Sequence, residues 1–286
     1  MTMTTHCSRI VCLSTETAET LCLLGEGHRI VGFCGSADRL PEAQHKKPRV
    51  SIHGVSRIDR ICALEPELVL GFGEAHGETL SGLAQRGVAV HLFNQGSVRG
   101  ILDMIRVVGA MVGREETAAH FAGSLEWRVE AIRNRSAHER RPVIYFEEWD
   151  QPSITASSWV SELIAIAGGV DCFADLSRYS RPEGRVIDDP DEVVRRAPDI
   201  IIGSWIGKAL HREVIEQRSG WGMIPAVRDG EVHEVPASSI LQPGPAALTD
   251  GLDALHRIVE LWRERRTRIF HTPLGPESVE AAEHVA

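Results

Sequence analysis

The chain reads as an α/β protein with two similar parallel-sheet lobes, one long backbone helix joining them, and a ligand cleft between them. Three observations predict this. Short aliphatic runs alternate with amphipathic helical segments, the grammar of a parallel sheet. The stretch Asp59 to Phe72 reappears, without gaps, as Asp191 to Ser204. Between the two copies lies a helical stretch from Ser97 to about Arg135, with no proline in it.

The repeat is the most specific of the three. Asp59 falls on Asp191, Pro66 on Pro198, Glu67 on Asp199 and Gly71 on Gly203. Each copy spells a short helix, a proline-acid turn and a continuous aliphatic strand, as buried parallel strands do. Two like-built lobes follow. From Gly113 onward this stretch carries Ala118, Phe121, Leu125, Val129 and Ile132 on one face. Glu115 and Glu116 suit its N-terminal turn and Arg133 and Arg135 its C-terminal end. The expected division is an N-terminal lobe over 1–96, a helical connector over 97–137, and a C-terminal lobe over 138–286 that ends in a mobile tail.

In chain order, Arg9 to Leu13 is a strand, and Ser14 is the cap of the helix that follows. Gly25 and Gly27 stop that helix, and Arg29 to Phe33 is the next strand, running into a loop at Cys34. Residues 39–54 are a polar connection. The first repeat copy follows, then a turn holding Glu74 and His76, a helix over 78–86 and a strand to Phe93. Past the connector, Val143 to Phe146 opens the second lobe and breaks into Glu147, Glu148, Trp149 and Asp150. Trp159 leads a helix closed by Gly168 and Gly169, and residues 174–187 form a polar loop rich in arginine. The second copy delivers Trp205 and Lys208 just past its strand. A strand over Glu231 to Val235 and the turn holding Ser238, Ser239 and Gln242 introduce the last helix, Ala246 to about Arg266.

The formal net charge of -9 argues against nucleic-acid binding, which shows a basic face. No window holds the ~20 apolar residues that cross a bilayer. Residues Met1 to Cys7 show neither a basic start nor an apolar core. That predicts a cytoplasmic protein, or a periplasmic one whose export segment has been removed. The six cysteines carry no CxxC spacing and read as free thiols, which suits a reducing compartment.

This pattern resembles the substrate-binding proteins of cobalamin and iron-siderophore ABC importers, and most of all the cobalamin-binding branch. The resemblance rests on Ile10 to Ser14 with Glu19, on both repeat copies, and on Trp159 to Gly169; it covers roughly residues 9 to 265. It implies a non-enzymatic binder of a cofactor-like ligand, a cobalamin or related corrinoid. It also implies docking to an ABC transporter, or to an intracellular acceptor protein, through Asp59 and Asp191, which fall where the family carries an acid on each lobe.

Strand ends facing one another beneath the connector would form the cleft. On the second lobe these ends are rich in tryptophan, whose flat indole suits the face of a macrocycle. The candidate ligand-binding residues there are Trp149, Trp159, Trp205, Glu147, Glu148, Lys208, Ser239 and Gln242. On the first lobe they are Cys34, Glu74 and Phe93. Haem or a ferric siderophore is the alternative ligand. A metal-dependent enzyme built on Glu147, Glu148 and Asp150 with His76 is the rival of a different class, although no HExxH, nucleophile elbow or phosphate loop is present.

Overall fold

The computed structural model describes residues 6–52, 55–56, 58–73 and 76–271. The expected mobile tail and the candidate Glu74 lie outside the described residues. The first lobe is built from β1 (Ile10–Cys12), α1 (Thr15–Leu23), β2 (Ile30–Phe33), α2 (Glu42–His45), the hairpin β3 (Ser51–Ile52) and β4 (Val55–Ser56), α3 (Ile58–Cys62), β5 (Leu68–Phe72), α4 (Gly77–Ala84) and β6 (Ala89–Phe93). Its sheet runs in the order β2-β1-β5-β6, with every pairing parallel.

The expected helix between the lobes is two helices. α5 (Val98–Met111) is capped by Ser97, whose hydroxyl accepts from Gly100 N, and α6 (Glu115–Ser136) follows after a three-residue turn. Gly113 makes that turn with φ of 71°, a left-handed value that glycine tolerates without steric cost. The 22 residues of α6 span about 33 Å at ~1.5 Å per residue. At its start Arg114 pairs with Glu26 of the first lobe; at its end Ser136 Oγ donates to Ala167 O of the second, at 3.3 Å.

The second lobe comprises β7 (Val143–Asp150), β8 (Ser153–Thr155), α7 (Ser158–Ile166), β9 (Val170–Asp171), α8 (Asp191–Arg196), β10 (Ile200–Gly203), α9 (Arg212–Glu216), α10 (Pro225–Arg228), β11 (Val232–Glu234) and α11 (Ala237–Ile240). The order is β11-β10-β7-β8, with β9 also on β7, and only β8 runs antiparallel among the described pairings of this sheet. The last expected helix opens as a π-helical turn, Ala247–Gly251, before α12 (Leu252–His271).

The two repeat copies match in backbone as well as in sequence. Glu65 and Ala197, at the same position of each copy, are the two non-glycine residues among those described with left-handed φ (47° and 44°). Each stands just before the shared proline; Ala197 is the αL cap of α8, and Glu65 follows the turn that ends α3. The acids after the prolines then fasten the strand. Glu67 N donates to Arg9 O and Asp199 N to Val143 O, each at 2.8 Å. Their carboxylates accept from backbone N–H groups of the same neighbouring segments, Ser8 at 2.5 Å and Val143 at 3.0 Å.

Alternation along the strands explains why they are aliphatic throughout. Ile10, Cys12, Leu68 and Leu70 face a central cluster, and so do Ile144, Phe146, Ile200 and Ile202. The odd members turn outward, Val11 and Val69 into one satellite core and Tyr145 and Ile201 into another. Both inner faces, with α1, α5, α6, α7 and α12, therefore share one continuous apolar core. Ser14 sits at the N-cap of α1, but its hydroxyl meets Thr17 Oγ1 at 3.2 Å and caps no backbone N–H.

Candidate functional site

The C-terminal ends of the strands face one another across a cleft of about 320 Å³. From the first lobe come Phe72 at the end of β5 and Gly73 after it, and Asn94, Gln95 and Gly96 after β6. From the second come Glu148 on β7, the start of α7 at Ser157, Ser158 and Trp159, the arginine-rich loop at Tyr179, Ser180, Arg181, Pro182 and Arg185, and Leu241. The lobes touch at the cleft. Ser158 Oγ donates to Gly96 O at 2.6 Å, Val98 N to Glu162 Oε2 at 2.8 Å, and Gln95 Nε2 to Pro243 O at 2.9 Å.

The buried charges in the cleft are paired. Arg185, only 2% exposed, meets Glu148 through two nitrogens at 2.6 and 3.2 Å and also donates to Thr155 O. A buried guanidinium needs such a partner, because an unpaired charge there would lose its hydration without return. Arg178 lies 4.9 Å over the Tyr179 ring and donates to its hydroxyl at 3.0 Å, which stiffens the loop at the mouth. Trp159 presents its indole to the cleft while Nε1 is held by Ile240 O at 3.0 Å.

The sequence candidates divide over two places. Glu148 and Trp159 line the cleft. Glu147, Trp149, Trp205 and Lys208 gather on the outer face of the second sheet. The strand pleat separates the adjacent acids: Tyr145, Glu147 and Trp149 point to one side of β7, Phe146 and Glu148 to the other. Glu147 is fully buried and accepts from Arg218 at 2.6 and 2.9 Å, Tyr145 OH at 2.8 Å and Trp205 Nε1 at 3.2 Å. Burial pulls Arg218 toward deprotonation, but the Glu147 contacts outweigh it and hold the guanidinium charged. Lys208 Nζ sits 4.5 and 4.6 Å from the Trp149 and Trp205 rings and pairs with Asp150 at 2.6 Å. A shallower hollow of about 440 Å³ opens beside this cluster, lined by Asp150, Asp191, Arg218 and Trp221 among others, all from the second lobe.

The remaining candidates scatter. Cys34 is buried in the first lobe's outer core, and Phe93 lines a hollow of about 190 Å³ beside the cleft, its ring 4.3 Å from His91. Ser239 is buried within α11, with its carbonyl against Gly251. Gln242 lies next to the interlobe contact at Pro243. Asp59 and Asp191 are both exposed, Asp59 paired with Arg86 at 2.6 Å.

The rival enzyme cluster dissolves: Glu147, Glu148 and Asp150 each hold a different cation, and His76 Nδ1 accepts from Phe72 N at 3.0 Å across the cleft in the other lobe. Among the described residues no group of His, Cys, Asp and Glu is arranged to hold a metal. Sequence reasoning missed Asn94, Gln95, Ser157, Tyr179 and Arg185. The visible signal for Asn94, Gln95 and Ser157 was polar residues directly after a strand and directly before a helix, where open α/β sheets expose side chains; Tyr179 and Arg185 come from the arginine-rich loop.

A family model described as "Periplasmic binding protein" matches residues 10–238. A vitamin B12-binding protein of Vibrio campbellii is 24% identical over 199 residues, covering 68% of this chain and 70% of that one. An uncharacterized ABC transporter substrate-binding lipoprotein of Bacillus subtilis, YvrC, is 23% identical over 257 residues, 86% of this chain and 78% of that one. The solved structure of the periplasmic heme-binding protein RhuT from Roseiflexus superposes with a TM-score of 0.74 at 25% identity, covering 88% of this chain and 99% of that one. These findings overturn the expected cytoplasmic location. The family is periplasmic and its relatives here are periplasmic or lipoproteins, which points outside the cytoplasm.

Proposed function

The chain belongs to the periplasmic binding protein family, a binding protein and not an enzyme, and on that premise we propose that it holds a corrinoid in the cleft between its lobes. The observation that carries this reading is the balance of the cleft. Its buried charged groups, Arg185 and Glu148, neutralise one another, Arg181 stands exposed on the loop at the mouth, and the remaining walls are largely aromatic or neutral: Phe72, Trp159, Leu241, Asn94 and Gln95. A corrin with amide arms suits such walls. Inside the cleft, the carboxylates of a porphyrin would have to draw Arg185 away from Glu148, which leaves Arg181 at the mouth as the cleft-lining cation outside that pair. The cleft volume is at the low end of the ~300–1,000 Å³ usual for small-molecule sites, so a macrocycle enters edge-on and emerges at the mouth. Kinship to a vitamin B12-binding protein favours the same ligand; kinship to a heme-binding protein supplies the competitor.

Delivery to a membrane transporter through Asp59 and Asp191 belongs to the same reading. Both acids are exposed, one per lobe, at matching repeat positions. The deciding experiment is incubation with cyanocobalamin, dicyanocobinamide, hemin and ferrichrome, singly and in competition, followed by gel filtration and a visible spectrum. Co-elution of corrinoid with protein at one-to-one stoichiometry supports the reading. Colourless protein after excess corrinoid, or displacement of corrinoid by hemin at equal concentration, removes it.

A further inference from the structure

Two buried polar side chains in the cleft are incompletely satisfied, and they come from opposite lobes. Gln95 is 6% exposed and Ser157 2% exposed, and both line the cleft. Among the described residues, nothing hydrogen-bonds to Gln95 Oε1 or to Ser157 Oγ. Buried polar atoms are rarely left so, because desolvation without a partner costs stability. Each is the chain neighbour of one end of the interlobe hydrogen bond from Ser158 Oγ to Gly96 O, so the two residues flank the same contact from opposite lobes.

The orientation of Gln95 is fixed by its other end. Its Nε2 donates to Pro243 O at 2.9 Å, and a carbonyl can only accept. Oε1 is therefore the free end, and it requires a donor. The Ser157 hydroxyl donates or accepts, and it stands at the N-cap of α7, where the helix dipole favours an incoming carbonyl oxygen. One chemical group offers a donor and an acceptor side by side. We infer that Gln95 and Ser157 form a carboxamide-recognition subsite, taking the NH2 of a ligand amide on Gln95 Oε1 and its C=O on the Ser157 hydroxyl. A carboxylate in the same place sets oxygen against oxygen at Gln95. The subsite selects amide over acid, and because the two side chains belong to different lobes, an amide bound there ties the lobes together.

This inference rests on the corrinoid reading, and its test separates the two. Dicyanocobinamide, which carries amide arms, is compared with dicyanocobyrinic acid, which carries carboxylates, by equilibrium dialysis with absorbance readout. Wild-type protein is expected to bind the amide form at least tenfold more tightly. Ser157→Ala and Gln95→Met are each expected to weaken cobinamide binding about five- to tenfold, the effect of one lost hydrogen bond, and to leave cobyrinic acid within about twofold. Ser157 Oγ makes no bond among the described residues, so Ser157→Ala is expected to melt no lower than wild type, which separates a binding role from a structural one. Equal affinity of wild type for both corrinoids, or variants that keep the wild-type ratio, overturns the subsite and leaves the corrinoid reading standing. Binding of neither corrinoid removes both.

Discussion

Arg218 grips Glu147 with two nitrogens, at 2.6 and 2.9 Å, inside the second lobe and away from the interlobe cleft. The carboxylate is fully buried and has four donors, so the pair locks β7 to the segment before Trp221. Substituting Glu147→Leu strands the guanidinium. The expected cost is about 3–5 kcal/mol in urea unfolding. Ligand affinity is expected to stay within twofold, measured at a temperature where the variant is folded. A stable variant that no longer binds ligand would assign Glu147 to binding instead.

Tryptophans divide in the same way. Trp159 lines the cleft, whereas Trp205 is 5% exposed within the outer core. Trp159→Ala is expected to lower corrinoid affinity at least tenfold, while Trp205→Phe and Trp149→Ala leave it unchanged and lower the melting temperature. Isothermal titration on the three variants checks this, and a loss of affinity confined to Trp149→Ala would contradict it.

Glu16 gives a pH dependence. It stands in the first turn of α1, its Cβ against Gly244 of the other lobe, and burial pushes its carboxyl up to about 7. In the unfolded chain it ionises near ~4.3. Between those values the folded state holds a proton that the unfolded state has lost, so Glu16 makes stability fall as pH rises from about 4.5 to 7 and flatten above. The loss is about 3 kcal/mol in total. Glu16→Gln is expected to remove this decline, making the variant more stable than wild type at pH 8 and similar at pH 4.5. Urea midpoints across that range decide it; parallel curves for the two proteins would count against the assignment.

The turn between α5 and α6 depends on a close crossing. A Cβ at Gly109 would stand 2.2 Å from Ala118 Cβ and 3.1 Å from Arg114 O. Gly109→Ala is expected to cost about 1–3 kcal/mol through overpacking, even though alanine is the better helix former. Gly123→Ala, on the open face of α6 with nothing within 4 Å of the added methyl, is the control and is expected to stabilise slightly. Thermal melts of both variants test the pair.

How far the chain could be read without coordinates depended on what kind of information each feature needed. The repeat was legible because helix, proline turn and strand are local, and the shared left-handed residues Glu65 and Ala197 follow from that grammar. The two-lobe fold and the family followed with it. The break at Gly113 was harder to see, since a single glycine neither ends nor continues a helical pattern by itself.

The cleft was legible only in outline. Sequence places Glu147, Glu148 and Trp149 together; the pleat sends Glu148 toward the other lobe and its two neighbours into the outer core. It also keeps apart Gln95 and Ser157, which the structure sets on either side of one hydrogen bond between the lobes. The amino-acid sequence by itself determined the duplicated architecture, because local propensity and hydrophobic period suffice to specify strands, helices and their turns. Only the tertiary structure decided which polar groups share a site, because that depends on which face of a strand is buried and on contacts between residues distant along the chain.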